Sequence, residues 1–154
     1  MASIHLSEQD FRDRFTVRDF TDACRRAFEL FGAGDIINPP RQEIVEVRDG
    51  RSHFRLDMPA AWPGRYEARK VVEEVSDVGS GRLGVREAWI ELEDLRTGTR
   101  VRLDAGHITD MRTGAAGALG IEYLTGSDVR RIGILGTGRI ARCLALCCDD
   151  LFDL

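Results

Sequence analysis

Apolar residues in the first quarter of the chain recur at intervals of three and four positions, the period of one face of an α-helix. This series predicts a helix whose core-facing residues are Val17, Phe20, Cys24, Ala27, Phe28 and Phe31. Thr16 and Asp19 match the capping pattern that begins a helix, as do Ser7 and Asp10 before them. Glycines at positions 32 and 34 end the series.

The pattern then changes to alternation, which predicts β-strands. The strand-like segments are Gln42 to Val47, Ser52 to Met58, Ala68 to Ser76, Arg86 to Glu93 and Arg100 to Leu103. Asp49-Gly50 lies between the first two, and this dipeptide is a strong signal for a two-residue hairpin turn. We therefore interpret residues 1 to about 105 as one α+β unit built on an antiparallel or mixed sheet.

A third pattern begins after Gly106. The stretch from Thr109 to Leu124 is rich in alanine, glycine and leucine and predicts a closely packed helix. Arg130 to Leu135 predicts a buried strand, and Gly136 to Ala141 leads from it into a further helix. The chain thus ends with one strand–turn–helix element.

That turn has the G-x-G-x-x-A pattern of dinucleotide-binding sites. Gly136 permits a tight turn, Gly138 lets the backbone approach a diphosphate, and Ala141 allows close helix–strand packing. The free N–H groups and the positive dipole end of the following helix favour an anion. An ordinary strand–helix turn is the alternative. The acidic residue expected on the ribose, about 20 residues further on, falls beyond Leu154, so only the first β-α of such a domain is expected here.

The composition narrows the class of protein. With 22 Lys+Arg against 26 Asp+Glu, the net charge of −4 gives no general attraction to nucleic acid or to an anionic membrane. No apolar run approaches the roughly 20 residues that a membrane span needs. The cysteines lie in predicted helices without a nearby histidine, which favours structural thiols over a metal site. We expect a cytoplasmic protein without a metal.

Two basic residues stand out. Lys70 is the only lysine, and its compact ammonium differs from a guanidinium in titrating readily. Arg112 begins a small-residue helix, where a guanidinium is well placed to hold a carboxylate with two hydrogen bonds. A surface arginine on a packed helix remains the alternative for Arg112.

Several motifs occur together in the order and spacing of the ornithine cyclodeaminase/mu-crystallin family, and the chain resembles that family from about Phe20 to its end. The motifs are Pro40-Arg41, Met58-Pro59-Ala60, Arg69-Lys70-Val71, Thr109-Asp110-Met111-Arg112-Thr113 and Gly136-Thr137-Gly138. The chain departs from the family pattern at Gly114, Gly117 and Gly120, where alanine or serine is usual. Such glycines soften an exposed helix by up to about 1 kcal/mol each.

The resemblance implies an α+β substrate and dimerisation domain, residues 1–125, followed by the first β-α of a Rossmann domain, residues 126–154. It implies that Arg41, Lys70 and Arg112 bind the carboxylate of an amino acid, with Lys70 also the catalytic candidate for proton transfer. The NAD-binding residues would be Thr113, Gly136, Thr137, Gly138, Arg139 and Ile140, with NADP as the other cofactor considered. The family's catalytic aspartate lies beyond Leu154. A homodimer acting on a small amino acid is the implied assembly.

The implied reaction converts an L-ornithine-like amino acid to a cyclic imino acid and ammonia, by hydride transfer to and from NAD. Two alternatives stay open. One is an NAD(P)H-dependent ketimine reductase or amino-acid dehydrogenase of the same fold. The other is a truncated, non-catalytic dimer or ligand-binding module.

Overall fold

The computed structural model describes residues 3–126 and 128–154. In chain order the elements are β1 (Ser3–Leu6), α1 (Glu8–Arg14), α2 (Val17–Gly32), β2 (Gln42–Arg48), β3 (Arg51–Trp62), β4 (Tyr66–Asp77), β5 (Leu83–Asp94), β6 (Thr99–Asp104), α3 (Gly106–Thr125) and α4 (Arg139–Leu151). The chain forms two compact units. The sheet unit runs from the N-terminus to Ser7 and from Ala33 to Gly106, and the helical unit contains Glu8–Gly32 and His107–Leu154.

The sheet unit is a mixed sheet with the strand order β1-β6-β5-β4-β3-β2. Every neighbouring pair is antiparallel except β1 and β6, which run parallel. The predicted hairpin is confirmed: Arg48 pairs with Arg51, and Asp49 and Gly50 take φ values of 50° and 71° between them. Positive φ at both central residues is the type I′ geometry, which matches the twist of the strands it joins.

The two faces of the sheet differ in chemistry because side chains alternate along each strand. Met58, Lys70, Ile90 and Leu103 are successive cross-strand partners, so one face places a single ammonium among apolar side chains. The opposite face, here called the charged face, carries many acids and arginines. Its charged residues include Arg55, Asp57, Arg69, Glu73, Glu91, Glu93, Arg100 and Arg102.

Strand β1 was not predicted. Ser3–Leu6 is only four residues long, and its partner β6 follows nearly a hundred residues later. Local alternation over so short a segment carries little information, and the parallel pairing with Arg100 to Leu103 supplies the backbone hydrogen bonds instead.

In the helical unit, the predicted cap at the start of α2 is confirmed. The Asp19 carboxylate accepts from the Thr16 N–H and hydroxyl, each at 2.7 Å, and the Thr16 hydroxyl accepts from the Asp19 N–H at 3.3 Å. This reciprocal arrangement satisfies donors that the first helical turn leaves free. The core of the unit consists of Met111, Ala115, Ala118, Cys147, Cys148 and Phe152, with Val17, Phe20 and Cys24 of α2 packed against it. In the described part of the chain no helix is long and apolar enough to cross a membrane.

Two predictions for this unit are wrong. Arg130 to Leu135 forms no strand, because backbone pairing defines a strand and no described strand pairs with this segment. Leu135, predicted in a buried strand, is fully exposed. Phe28 and Phe31 are not core residues, since 49% and 55% of their surfaces are exposed. The buried residues of α2 are Thr21 and Leu30, which lie outside the apolar series, so burial along this helix does not follow the series.

Candidate functional site

The predicted phosphate-binding turn lies at the start of α4. Gly136 has φ +111°, a conformation that side chains with a Cβ rarely adopt, and Gly138 is the N-cap residue with extended backbone and no side-chain cap. The Arg142 N–H donates to the Gly138 carbonyl at 3.1 Å. This is the first hydrogen bond of the helix, so the N–H groups of Arg139, Ile140 and Ala141 are available to an external acceptor. A Cβ built on either glycine would meet no heavy atom within 4 Å.

These features fit a dinucleotide diphosphate. The helix of 13 residues presents free backbone donors and its positive dipole end, and the glycines keep the space before them open. Thr137, Arg139 and Ile140, the other residues predicted at this turn, lie in the same short segment and are exposed.

Arg139 has a partner that the sequence did not predict. Its Nε lies 3.3 Å from Oδ2 of Asp110 on α3. The Asp110 side chain is only 13% exposed, whereas that of Arg139 is 71% exposed. A nearly buried carboxylate is therefore neutralised by a guanidinium that extends from the phosphate-binding turn.

Helices α3 and α4 approach closely at Gly114. A Cβ on this glycine would lie 2.6 Å from the Cys143 carbonyl carbon and 2.7 Å from the Leu144 nitrogen. Real Cβ atoms essentially never make such contacts with backbone, so only glycine permits the two backbones to pack at this distance. This explains why the chain carries glycine at 114, a position predicted only to soften the helix.

The thiols of this interface are structural. Burial, reinforced by the neighbouring Cys143, raises the pKa of the Cys147 thiol to about 12. Burial also raises the pKa of Cys24, whose Sγ donates to the Arg112 carbonyl oxygen at 3.6 Å. A protonated, buried thiol is a poor nucleophile and a poor metal ligand.

Arg112 and Thr113, predicted for substrate and cofactor, follow Asp110 on α3. The Arg112 side chain is exposed, and the Thr113 hydroxyl donates to the Thr109 carbonyl oxygen at 2.6 Å. Its donor is thus used within the helix, which leaves the Thr113 oxygen as an acceptor.

The sheet unit contains the other two predicted substrate residues. Lys70 lies in the middle of β4 and is half-buried, and the exposed Arg41 directly precedes β2. Gln42 pairs with Asp57, and the next residue of β3, Met58, pairs with Lys70. Arg41 therefore directly precedes the end of β2 that is nearest in register to Lys70, two strands away. Arg112 belongs to the helical unit, so its convergence with this pair stays a prediction.

The charged face holds a pair that sequence reasoning missed. Arg69 donates through Nε to both Asp57 oxygens at 2.7 Å and also through Nη2 to Oδ2. The hydrogen bonds from Arg69 lower the pKa of Asp57 although burial of the carboxyl opposes this. The two residues are twelve apart in sequence and on neighbouring strands, so only the β3–β4 register reveals them.

Comparison with known proteins places these observations in a family. The model of the ornithine cyclodeaminase/mu-crystallin family matches residues 3–154. The chain is 29% identical over 130 residues, 80% of its length, to an NAD(P)H-dependent anabolic L-arginine dehydrogenase of Pseudomonas aeruginosa. That match covers 38% of the dehydrogenase.

Solved structures share the fold. One is the Δ1-pyrroline-2-carboxylate reductase of Thermococcus litoralis in complex with NADH and L-proline, with a TM-score of 0.80 and 29% identity. The match covers 97% of this chain and 46% of the reductase. Another is an archaeal alanine dehydrogenase dimer with bound NAD, with a TM-score of 0.77 and 24% identity over 100% of this chain and 47% of that one. The chain therefore spans less than half the length of these relatives.

Proposed function

The chain belongs to the ornithine cyclodeaminase/mu-crystallin family, and from this premise we propose that it serves an NAD(P)-dependent enzyme of amino-acid metabolism. The observation that carries the proposal is the uncapped glycine turn at the start of α4, in a chain whose family match runs from residue 3 to 154. We assign residues 1–125 to the substrate and dimerisation domain and 126–154 to the start of the Rossmann domain. The cofactor is NAD, with NADP as the alternative.

In the proposed reaction the nicotinamide, when bound, accepts or supplies the hydride at the α-carbon of an amino acid, which interconverts the amino acid and its imine. Arg41, Lys70 and Arg112 hold the substrate carboxylate. The position of Lys70 between Met58 and Ile90 supports this role, because attraction between an ammonium and a carboxylate is stronger beside apolar side chains than in water. Lys70 also supplies or removes a proton at the substrate nitrogen as the imine forms or is reduced.

Two outcomes of that shared step are candidates. In the first, hydride transfer between the amino acid and its imine is the whole redox step, with the imine formed by an amino-acid dehydrogenase and consumed by a ketimine reductase. The arginine dehydrogenase and the pyrroline-carboxylate reductase, each 29% identical, support this version. In the second, a side-chain amine of an ornithine-like substrate attacks the imine, ammonia leaves, and the ring imine is reduced again. The family description supports this second version.

The decisive measurement begins with calorimetric titration of the purified chain with NADH. Saturable binding supports the cofactor site, and no binding by a folded chain contradicts it. Consumption of NADH with Δ1-pyrroline-2-carboxylate, without ammonia release from L-ornithine and NAD⁺, would then select the reductase. Ammonia and proline from L-ornithine would select the cyclodeaminase.

A matched pair of variants tests the substrate residues. Arg112→Ala should raise KM for the amino acid at least tenfold, the scale of one lost charge-assisted contact. Arg96→Ala removes an exposed guanidinium from the turn after β5 and should leave KM unchanged. Equal KM values for Arg112→Ala and the unaltered protein would exclude Arg112 from the site.

We further propose that two copies associate. In support, β2 is an edge strand exposed along its whole length, with Ile44, Val45 and Val47 at least half exposed. Unpaired apolar edges favour association. Light scattering of the purified chain should give twice the monomer mass, and a monomer at all concentrations tested would contradict this.

A further inference from the structure

The contact between Gly114 and Cys143 has a geometric consequence one helical turn earlier. Asp110 precedes Gly114 by four residues, and Arg139 precedes Cys143 by four residues. Four residues advance a helix by about 6 Å and return to the same face. The backbones of the two helices approach closely at Gly114 and Cys143, and one turn earlier on each helix the side chains of Asp110 and Arg139 meet.

The ion pair at this end is asymmetric. Asp110 is nearly buried, and its carboxylate needs a cation beside it because an unpaired buried charge is costly. The shortest contact of the pair joins Arg139 Nε to Asp110 Oδ2 at 3.3 Å, while most of the Arg139 side chain is exposed. The exposed guanidinium therefore offers Nη donors to an acceptor at the turn before α4.

We propose that Asp110 is a positioning residue for the cofactor: it holds Arg139 by Nε so that the Nη donors bind a phosphate oxygen of the dinucleotide. The inference rests on the proposed function, since it requires a dinucleotide at this turn. It adds a side-chain contact to the backbone donors of α4. In this proposal α3 carries residues for both the cofactor and the substrate, because Arg112, the proposed substrate residue, lies two positions beyond Asp110 on the same helix.

The direction in which Asp110→Asn changes the affinity for NADH distinguishes a positioning role for Asp110 from competition with the phosphate. Asp110→Asn removes a negative charge beside the anion site, so Coulomb attraction alone would tighten NADH binding. Loss of the anchor would instead let Arg139 leave the turn and would weaken binding. Asp110→Asn should therefore tighten NADH binding if Asp110 competes with the phosphate for Arg139, and weaken NADH binding if Asp110 positions Arg139.

The experiment is NADH titration of the full chain for the unaltered protein, Asp110→Asn, Arg139→Gln and the double variant. Asp104→Asn is the matched control, because it makes the same chemical change at an exposed carboxylate paired with His5 in the sheet unit. We expect Kd to rise about tenfold in Arg139→Gln, as for one charge-assisted contact, and at least threefold in Asp110→Asn. Asp104→Asn should leave Kd unchanged.

The double variant shows whether Asp110 acts through Arg139. We expect it to bind no more weakly than Arg139→Gln, since the anchor has nothing to hold once the guanidinium is gone. The dependence of Kd on salt should become shallower in Arg139→Gln and in Asp110→Asn, which a purely structural defect would not cause. Adenosine, which lacks phosphate, should bind all variants equally.

The outcomes are distinct. If the unaltered chain does not bind NADH, the proposed cofactor site fails and this role for Asp110 fails with it. If it binds NADH but Asp110→Asn binds equally well or more tightly, the cofactor site stands and the positioning role is overturned. Additive losses in the double variant would also overturn it. Circular dichroism of each variant identifies any that is unfolded, and Asp110→Glu, which keeps the carboxylate, should then retain tighter binding than Asp110→Asn.

Discussion

Replacement of Gly114 by alanine tests the close approach of α3 and α4. The added Cβ would lie 2.6 Å from the Cys143 carbonyl carbon and 2.8 Å from its oxygen. Non-bonded carbon atoms prefer about 3.5–4.0 Å, so one helix must move by about 1 Å. The atoms in the way are backbone atoms of Cys143 and Leu144, which pack against the core of the unit, so no flexible side chain can move aside to make room.

The expected cost follows from two opposing effects. Overpacking of a filled interior costs about 1–3 kcal/mol. Alanine in place of glycine favours the helix by about 1 kcal/mol. We therefore expect Gly114→Ala to lower the free energy of unfolding by up to about 2 kcal/mol, and to lower Tm by up to about 8 °C for a chain of this size.

Two other glycines of α3 provide the controls. Gly120 has no neighbour within 4 Å of an added Cβ, so Gly120→Ala should raise stability by up to about 1 kcal/mol. At Gly117 the nearest atom is the flexible Cδ1 of Leu144 at 3.0 Å, and Gly117→Ala should be nearly neutral. Urea unfolding followed by circular dichroism measures all three. If Gly114→Ala is as stable as Gly120→Ala, the close approach of the helices is wrong.

Four further predictions concern single residues. Asp57→Asn should make the stability of the chain less sensitive to acid. The fold lowers the pKa of Asp57, so this carboxylate stabilises the fold above its ordinary pKa near 3.9, and the stabilisation is lost as pH falls through the lowered pKa. Acid unfolding curves that coincide for both proteins below pH 5 would contradict this. Thr16→Ala should cost about 1 kcal/mol through loss of the α2 cap, measured by urea unfolding. Cys147, with its pKa near 12, should react with a thiol reagent at pH 8 only after unfolding, and rapid labelling of the native chain would refute its burial. Gly136→Val, which places a branched side chain at φ +111°, should weaken NADH binding at least tenfold in calorimetry without lowering the helix content of the chain.

Local patterns in the sequence determined most of the elements. The Thr16–Asp19 cap, the Asp49-Gly50 turn and the alternating strands depend on contacts within a few residues, and the structure contains all of them. The glycine at position 136 also depends on local geometry, because its φ of +111° is a conformation that favours glycine whatever lies nearby. The same motifs, in their order along the chain, indicated the family.

Tertiary structure decided the features that depend on distant partners. A strand exists only where another strand accepts its hydrogen bonds, so Ser3–Leu6 gained one from β6 while Arg130 to Leu135, with an equally suitable pattern, did not. The helical period of α2 could not show that Leu30 is buried while Phe28 and Phe31 are exposed, because the elements that cover a helix are not part of its own pattern. Only the packing of α3 on α4 showed why residue 114 is glycine and brought Asp110 to Arg139. Propensity and turn chemistry are local properties of a sequence, whereas burial, strand pairing and ion pairs between elements belong to the folded chain as a whole.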